Sequence, residues 1–318
     1  MTTGVILSTY NGKLYIKEQL LSLLNQTRKI DTVLIIDDCS TDNTVSIIRE
    51  FINYNRLSNW KVLINEQNQG WKQNFYNGID KIEADIIFPC DQDDIWHLNK
   101  VESMSAILEH NSNIMVLEGQ PHKFFDENNH TTQTLRTVIG TYLDKHAEKK
   151  YASTNSGKVY QKKFDSSFLR RAPGCTLAFR KTFFDKIKTE WFPEMPHDAL
   201  LTYFPAAAGS YYIYDQNIIE WRQHVGSASR PKERTRERRL SEISLDQQML
   251  LALYNFSVKD NIDPLTMDII KQAQVWNECR NKLVSDRNLF YAFKLLFYKR
   301  FYSQGRRYLT DIKYALER

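Results

Sequence analysis

Ala84-Asp85-Ile86-Ile87-Phe88-Pro89-Cys90-Asp91-Gln92-Asp93-Asp94-Ile95-Trp96 is the stretch on which fold and chemistry both turn. An apolar run with one aspartate in it stops at three carboxylates in four positions. Carboxylates that close raise one another's pKa unless a cation lies among them. A hard divalent ion such as Mg2+ or Mn2+ takes oxygen ligands and commonly shares them with substrate phosphates. An Asp-x-Asp where a buried strand stops is therefore a candidate site for a metal and a diphosphate. The competing expectation is a solvated acidic turn capping a helix that begins near His97, because Asp is a favoured N-cap and suits a helix's positive end.

The flanking sequence decides which expectation to follow. Residues 5–10 form a short apolar run stopped by Asn11-Gly12, as a buried strand and its turn would be. Residues 13–26 then carry Ile16, Leu20, Leu21, Leu23 and Leu24 at helical spacing. The alternation continues with strands at 32–36, 60–64, 84–88 and 114–117. Helices are expected at 42–53 and 71–82, and one more around Val101, Met104 and Leu108. Strands apolar on both faces, alternating with helices, indicate an α/β fold with a mostly parallel sheet covered on both sides. Such sheets bind ligands beyond the carboxyl ends of their strands.

Three of those ends carry suggestive residues: Ser8-Thr9-Tyr10-Asn11, Asp37-Asp38-Cys39-Ser40 and Asp91-Gln92-Asp93-Asp94. One polar strand end means little, but three on one edge point to a nucleotide pocket. Asp38 and Asp91 suit a pyrimidine imide or a ribose, and the Ser8 or Thr9 hydroxyl does lighter work of that kind. Ser40 and Asp42 are taken as an ordinary helix start. Residues 68–72 open a helix where Gly70 would let the backbone approach phosphate and Lys72 would add charge. A solvated lysine is the bland alternative.

Composition narrows the class. The 318 residues are 42% hydrophobic and 25% charged, with 17 Phe, 17 Tyr, 6 Trp and a formal charge of +5. Cys39, Cys90, Cys175 and Cys279 are too scattered for a metal-type pair, which fits a reducing compartment and no disulfide framework. The N-terminus runs straight into Gly4-Val5-Ile6-Leu7 without a basic region or a cleavage site, and no apolar stretch is long enough to span a bilayer. A cytoplasmic protein is expected.

Taken together, Ile6-Leu7-Ser8-Thr9-Tyr10-Asn11-Gly12, Ile36-Asp37-Asp38-Cys39-Ser40-Thr41-Asp42, Asn68-Gln69-Gly70 and Cys90-Asp91-Gln92-Asp93-Asp94-Ile95-Trp96 resemble, in order and spacing, the inverting family 2 glycosyltransferases of GT-A fold. The resemblance leans to the bacterial branch that builds rhamnose-containing and other surface polysaccharides. It covers most of residues 4–120 and recurs at 170–230. Cys39 is a departure, since many members have glycine there. The resemblance implies that Asp38 contacts the base, Asp91 the ribose side, and Asp93 the metal bridging the diphosphate. Asp94 would ligate or would orient the loop. Ser8, Thr9, Tyr10, Asn11, Asp38, Asn68, Lys72, Asp91, Gln92, Gly174 and Arg222 are the candidate donor-binding residues, with Asp93 and His224 as metal ligands.

From 121 to 163 hydrophobicity falls, as in an inserted, partly mobile segment. His122, His130 and His146 lie in it without ligand-type spacing. Order returns at Ala172-Pro173-Gly174-Cys175, a turn entering a strand, where Gly174 allows close backbone approach and where family members place the donor sugar. Asp198 stands where an N-cap belongs, before the apolar run 199–204. The resemblance makes it the catalytic base, because the family carries its base in an acidic or His-Asp pair at such a helix start. Pro205 implies a kink or an early end to that helix. Ile218 to His224 follows a strand at 211–214. The family uses an Arg-Gln-His here to bring an imidazole to the metal, and Arg222 either neutralises phosphate or pairs with a scaffold carboxylate.

Residues 230–239 carry six Lys/Arg against two Glu, as a basic linker that could fold over bound donor. A GT-A domain at 1–229 and a basic helical region at 230–318 are expected. In the latter, Phe290, Phe293, Phe297 and Phe301 share a helical face beside Lys294, Lys299 and Arg300, as in a helix lying on an anionic membrane. Packing on the catalytic domain is the alternative. No nucleic-acid motif accompanies the basic and aromatic residues. The resemblance implies transfer of a sugar, with L-rhamnose from dTDP favoured over a UDP-linked hexose, onto a lipid-linked saccharide at the inner face of the cell membrane. A non-catalytic saccharide-binding protein on the same fold is the alternative from another class.

Overall fold

The computed structural model describes residues 1–125, 155–224, 235–302 and 305–317. His130, His146 and the first half of the basic linker lie outside them. The chain divides into two compact units, the first made of Met1–Tyr160, Gly174–Lys181 and Tyr212–Arg230 and the second of Gln161–Pro173, Thr182–Tyr211 and Pro231–Arg318.

The first unit opens with β1 (Thr3–Thr9), α1 (Ile16–Leu24), β2 (Thr32–Asp37), α2 (Thr44–Asn55), β3 (Trp60–Ile64) and α3 (Trp71–Lys81). It continues with β4 (Ile86–Asp91), β5 (Ile95–Trp96), α4 (Lys100–His110), β6 (Val116–Phe125), β7 (Val159–Gln161), β8 (Leu177–Arg180) and β9 (Tyr211–Gln223). The strands lie in the order β3-β2-β1-β4-β8-β6-β9-β5, with β7 beside β9. Pairing is parallel from β3 to β4 and antiparallel at β4–β8, β8–β6 and β5–β9. The sheet is thus mixed, and mostly parallel only in its first half. There each strand returns through a helix, whereas β8 enters from the short turn Gly174–Thr176 and runs against β4.

Register is what positions the site. Thr9 pairs with Asp37 and Ser8 with Asp91, so the ends of β1, β2 and β4 form one rim. Val5, Leu7, Val33, Ile35, Phe88 and Cys90 fill the core on one side of the sheet. On the other, α3 lies so close that a Cβ at Gly78 would come within 2.7 Å of Ile6 and 2.9 Å of Ile36. Two strands exceed what the sequence shows. β6 runs on through 121–125, the start of the segment expected to be an insertion, and β9 runs unbroken to Gln223 where a strand was expected over 211–214 alone. The β6 extension is largely exposed, and β9 passes through Asp215-Gln216-Asn217 before the buried Ile218 and Ile219, so neither shows a continuous apolar run.

The second unit contains α5 (Lys181–Ile187, apart from its first residue), α6 (His197–Ala207), α7 (Arg236–Lys259), α8 (Pro264–Ser285), α9 (Phe290–Phe297) and α10 (Gly305–Leu316). Its helix starts are well specified: Asp263 accepts from the Leu265 and Thr266 amides at 3.0 Å, with Pro264 in the first turn of α8. α6 ends two residues after Pro205, whose carbonyl accepts from the Ser210 amide. The expected face of four phenylalanines needs correcting. α9 stops at Phe297, a tighter turn follows over Lys299–Phe301, and Phe301 is buried against Trp276. Among the described residues no helix is long and apolar enough to cross a membrane.

Candidate active site

At the end of β2 the two aspartates do different things. Asp37 is fully buried and accepts from the Thr9 hydroxyl at 2.7 Å and from the Ser40 amide and hydroxyl at 2.7 and 2.6 Å. It fixes the turn. Cys39 in that turn has φ 65°, the left-handed region that disfavours a Cβ and suits the glycine that the resemblance leads one to expect there. The Asp38 carboxylate accepts from the Gln69 and Gly70 amides and the Asn65 side chain, each at 2.8 Å. The Asn68 side chain donates to the Asp38 carbonyl at 3.2 Å, and Asn74 donates to the Ser8 hydroxyl at 2.7 Å. Ser8, Asp38 and Asn68 are therefore brought together as parts of one hydrogen-bonded loop set.

Gln92 joins the first and third strand ends: it accepts from the Tyr10 amide at 2.9 Å and donates to the Tyr10 carbonyl at 3.0 Å. Asn11 accepts from the Thr41 amide at 2.8 Å, while its own amide donates to Ser40. Gly70, at φ 83° with open space where a Cβ would be, precedes α3 and leaves its first turn accessible. Lys72 lies in that turn, half-exposed. Gly174 is buried at the turn before β8.

The acidic loop is not a helix cap. β5 separates it from α4, which begins after Asn99. Instead β9 holds it. The Arg222 amide donates to Asp94 Oδ1 at 3.0 Å, and its Nε donates to the Asp93 carbonyl at 2.8 Å. The rest of that guanidinium pairs with Glu18 and lies between the Tyr15 and Phe124 rings, 4.7 Å from each. Arg222 thus takes the scaffold role among its two expected ones. His224, two residues on, meets Asp93 Oδ2 at 2.7 Å and packs against the Tyr15 ring, the two rings tilted by 45°.

Asp94 is buried, and its Oδ2 has no hydrogen-bond partner among the described residues. Burial, then the charges of Asp91 and Asp93, push its carboxyl well above the usual range. Lys100 lies beneath this loop, fully buried, its Nζ donating to the Cys175 carbonyl at 2.6 Å and sitting 3.5 Å over the Trp96 ring. Burial brings it down to about 8.

The donor chemistry here fits a divalent cation. One ligand atom each of Asp91, Asp94 and Cys175 lie within 4.8 Å of one another, and Asp93 with His224 adds a carboxylate and an imidazole. Burial pushes the Cys175 thiol up, so it stays protonated and is a poor ligand for a hard ion. Asp91 and Asp94 would offer oxygens to Mg2+ or Mn2+, the expected ligands Asp93 and His224 form a pair outside that group of three, and the orphaned Asp94 oxygen is the observation that favours a cation.

Asp198 belongs to the second unit. Pro196 occupies the cap position, so Asp198 is one turn-residue inside α6 and makes no capping bond. Its carboxylate accepts from Arg171 at 3.2 Å and is 18% exposed. The neighbouring His197 is buried, which lowers its pKa to about 4 and keeps it neutral. Lys100, Tyr15 and Glu18 escaped the sequence analysis because each looks like an ordinary residue of an amphipathic helix or its approach.

The family described as Glycosyl transferase family 2 matches residues 4–187, more than half of the chain. The dTDP-rhamnosyl transferase RfbG of Shigella flexneri is 36% identical over 110 residues, 33% of this chain and 38% of that one. The poly(ribitol-phosphate) beta-N-acetylglucosaminyltransferase TarS of Staphylococcus aureus is 28% identical over 137 residues, 40% of this chain and 24% of that one. The chain thus spans well under half the length of these relatives. The crystal structure of TarS residues 1–349 in complex with UDP-GlcNAc superposes with TM-score 0.61 at 19% identity, covering 100% of this chain and 82% of that one. The Pyrobaculum calidifontis mannosyltransferase PcManGT, in complex with GDP-Man and Mn2+, gives 0.53 at 15%, covering 99% and 84%. With a mixed α/β sheet of GT-A type and an acidic rim at its strand ends, the chain belongs to glycosyl transferase family 2.

Proposed function

We propose that the chain is an inverting, metal-dependent glycosyltransferase that moves a sugar from a nucleotide diphosphate onto a saccharide hydroxyl in cell-surface polysaccharide synthesis. The observation that carries this is the rim itself: Asp93 against His224, beside a buried Asp94 with one oxygen uncompensated. Ser8, Thr9, Tyr10, Asn11, Asp38, Asn68, Lys72, Asp91, Gln92 and Gly174 line or shape the donor side. Arg222 holds Asp93 and Asp94 in place. A bound Mg2+ or Mn2+ would act as a Lewis acid that offsets charge on the departing diphosphate.

Asp198 acts as general base. It takes the proton of the acceptor hydroxyl as that oxygen bonds to the anomeric carbon from the face opposite the breaking bond to diphosphate. The donor we favour is dTDP-L-rhamnose, supported by the likeness to RfbG. A UDP-linked hexose is the second reading, supported by the sequence likeness to the N-acetylglucosaminyltransferase TarS, whose residues 1–349 bind UDP-GlcNAc in a crystal structure. The acceptor is a lipid-linked saccharide, and the enzyme works peripherally at the inner face of the cell membrane.

The test is mass spectrometry of products formed from a panel of nucleotide sugars with Mn2+ and a synthetic lipid-linked acceptor. Asp198→Asn should lower turnover about 10^2- to 10^4-fold while donor binding is kept. Equal turnover by that variant would remove Asp198 from the chemistry. Failure of the wild type to turn over any donor would favour a saccharide-binding role.

A further inference from the structure

We propose that α9 and the turn after it dock the protein on an anionic lipid surface, with Phe293 and Phe297 entering the boundary between headgroups and acyl chains. Scattered exposed leucines are normal on soluble proteins, but a contiguous apolar patch is not. Here the exposed side chains are Leu289, Phe290, Phe293, Leu296 and Phe297, and the last is 85% exposed. At about 100° per residue these five positions fall within an arc of roughly 120° on one side of the helix. Leu295 points the opposite way and is fully buried, so the helix is anchored in its own unit by the other face. The Tyr308 hydroxyl of α10 donates to the Ala292 carbonyl at 2.9 Å and holds it there.

Charge selects the occupant. Between Arg287 and Thr310 the sequence has six Lys/Arg and no Asp or Glu. Lys294, Lys299 and Arg300 are exposed beside the apolar face. The acids that bracket the segment are Asp286 and the fully buried Asp311. An apolar patch ringed by cations complements anionic headgroups over acyl chains, whereas a second copy of the same face would bring like charges together. A helix of eight residues is about 12 Å long, far short of a bilayer, so it would lie in the interface plane. The docking rests on α9 and its flanking cations and not on the transferase reading.

The experiment is co-sedimentation of the full chain with vesicles of phosphatidylcholine alone, or mixed in equal parts with phosphatidylglycerol. Wild type should bind the mixed vesicles about tenfold or more tightly than the neutral ones, since each cation near such a surface contributes roughly fivefold. The pair Phe293→Glu and Phe297→Glu should weaken that binding at least about tenfold. The pair Lys294→Glu and Lys299→Glu should do the same on mixed vesicles and little on neutral ones. All four side chains are exposed, so circular dichroism should be unchanged. If the phenylalanine pair unfolds the protein, Phe297→Trp decides instead, its emission shifting to the blue with mixed vesicles. No binding by wild type, variants that bind like wild type, an unshifted Trp, or a dimer that the phenylalanine pair dissolves would each overturn the proposal.

Discussion

Two buried aspartates, one in each unit, show what separates a structural acid from a poised one. Asp311 in the helical unit is fully buried, and accepts from the guanidinium groups of Arg239 and Arg280 and from the Tyr302 hydroxyl at 2.8 Å. Both its oxygens and its charge are answered within the chain. Asp94 at the sheet rim is as deeply buried, yet among the described residues it is met only by the Arg222 backbone N–H and the Cys175 thiol, with no cation on its carboxylate and two more carboxylates beside it. Lys100, beneath the loop, donates to the Cys175 carbonyl. The same residue type at the same depth is thus complete in one place and short of positive charge in the other. On the proposed reading, a bound divalent cation would supply the charge that Asp94 lacks.

The largest expected effect tests that missing charge directly. Asp93→Asn should lower turnover about 10^3-fold, since the metal's contribution to the leaving diphosphate is several kcal/mol. Thermal unfolding supplies an independent readout. Manganese with nucleoside diphosphate at about a hundred times its Kd should stabilise wild type by about 2.7 kcal/mol and Asp93→Asn far less. If both proteins respond alike, the rim is not the cation site and the comparison with Asp311 loses its meaning.

The next effect breaks the pair apart. Asp311→Asn strands two buried guanidinium groups and should destabilise the helical unit by about 3–5 kcal/mol. Asp94→Asn removes a charge that burial and its neighbours already disfavour, so the melting temperature should hold or rise while turnover falls. Chemical denaturation of both variants measures this, and a loss at Asp94 as large as that at Asp311 would make Asp94 a structural acid too.

How much of this was legible in the sequence follows from how local each signal is. The strand ends were, because apolar runs that stop at Ser8, Asp37 and Asp91 are contiguous and their register needs only a parallel sheet. The division of labour between Asp37 and Asp38 was not, since it depends on Thr9 and on the Gln69–Gly70 amides across two loops. Nor was Phe301: helical periodicity continues past Phe297 on paper, while the backbone tightens there and turns the ring onto Trp276. Lys100 opens an amphipathic helix, where a lysine ordinarily reaches solvent. Only the packing of β8 and Trp96 over it shows otherwise.

Lys100 sharpens the comparison through pH. Burial lowers it from 10.5 to about 8, so between those values the unfolded chain binds a proton that the folded one has released. Stability from this group therefore rises as pH goes from about 8 to about 10.5, by about 3 kcal/mol. Cys90 and Cys175, pushed up by burial, act in the opposite sense above pH 9. The informative quantity is then the difference between wild type and Lys100→Met, read between about pH 8 and pH 9, below the range in which the thiols titrate. Wild type should gain on the variant across that interval, and a flat difference would mean that Lys100 is not held in the interior.

The smallest expected effect concerns a strain at the same rim that needs no charge at all. Cys39 holds φ 65° in the turn fixed by Asp37, and a residue with a Cβ pays about 1 kcal/mol there relative to glycine. Cys39→Gly relieves that strain but loosens the unfolded chain by a similar amount, so the net change should stay within about 1 kcal/mol. Cys39→Val adds branching at the same backbone angle and should cost about 1–2 kcal/mol more. Because Asp38 follows Asp37 into this turn and grips the loop before α3, the valine variant should also weaken nucleotide binding, whereas the glycine variant should not. Equal stability and equal binding for glycine and valine would show that the turn adjusts freely, and that Asp38 owes its place to the loop it holds and not to the backbone that carries it.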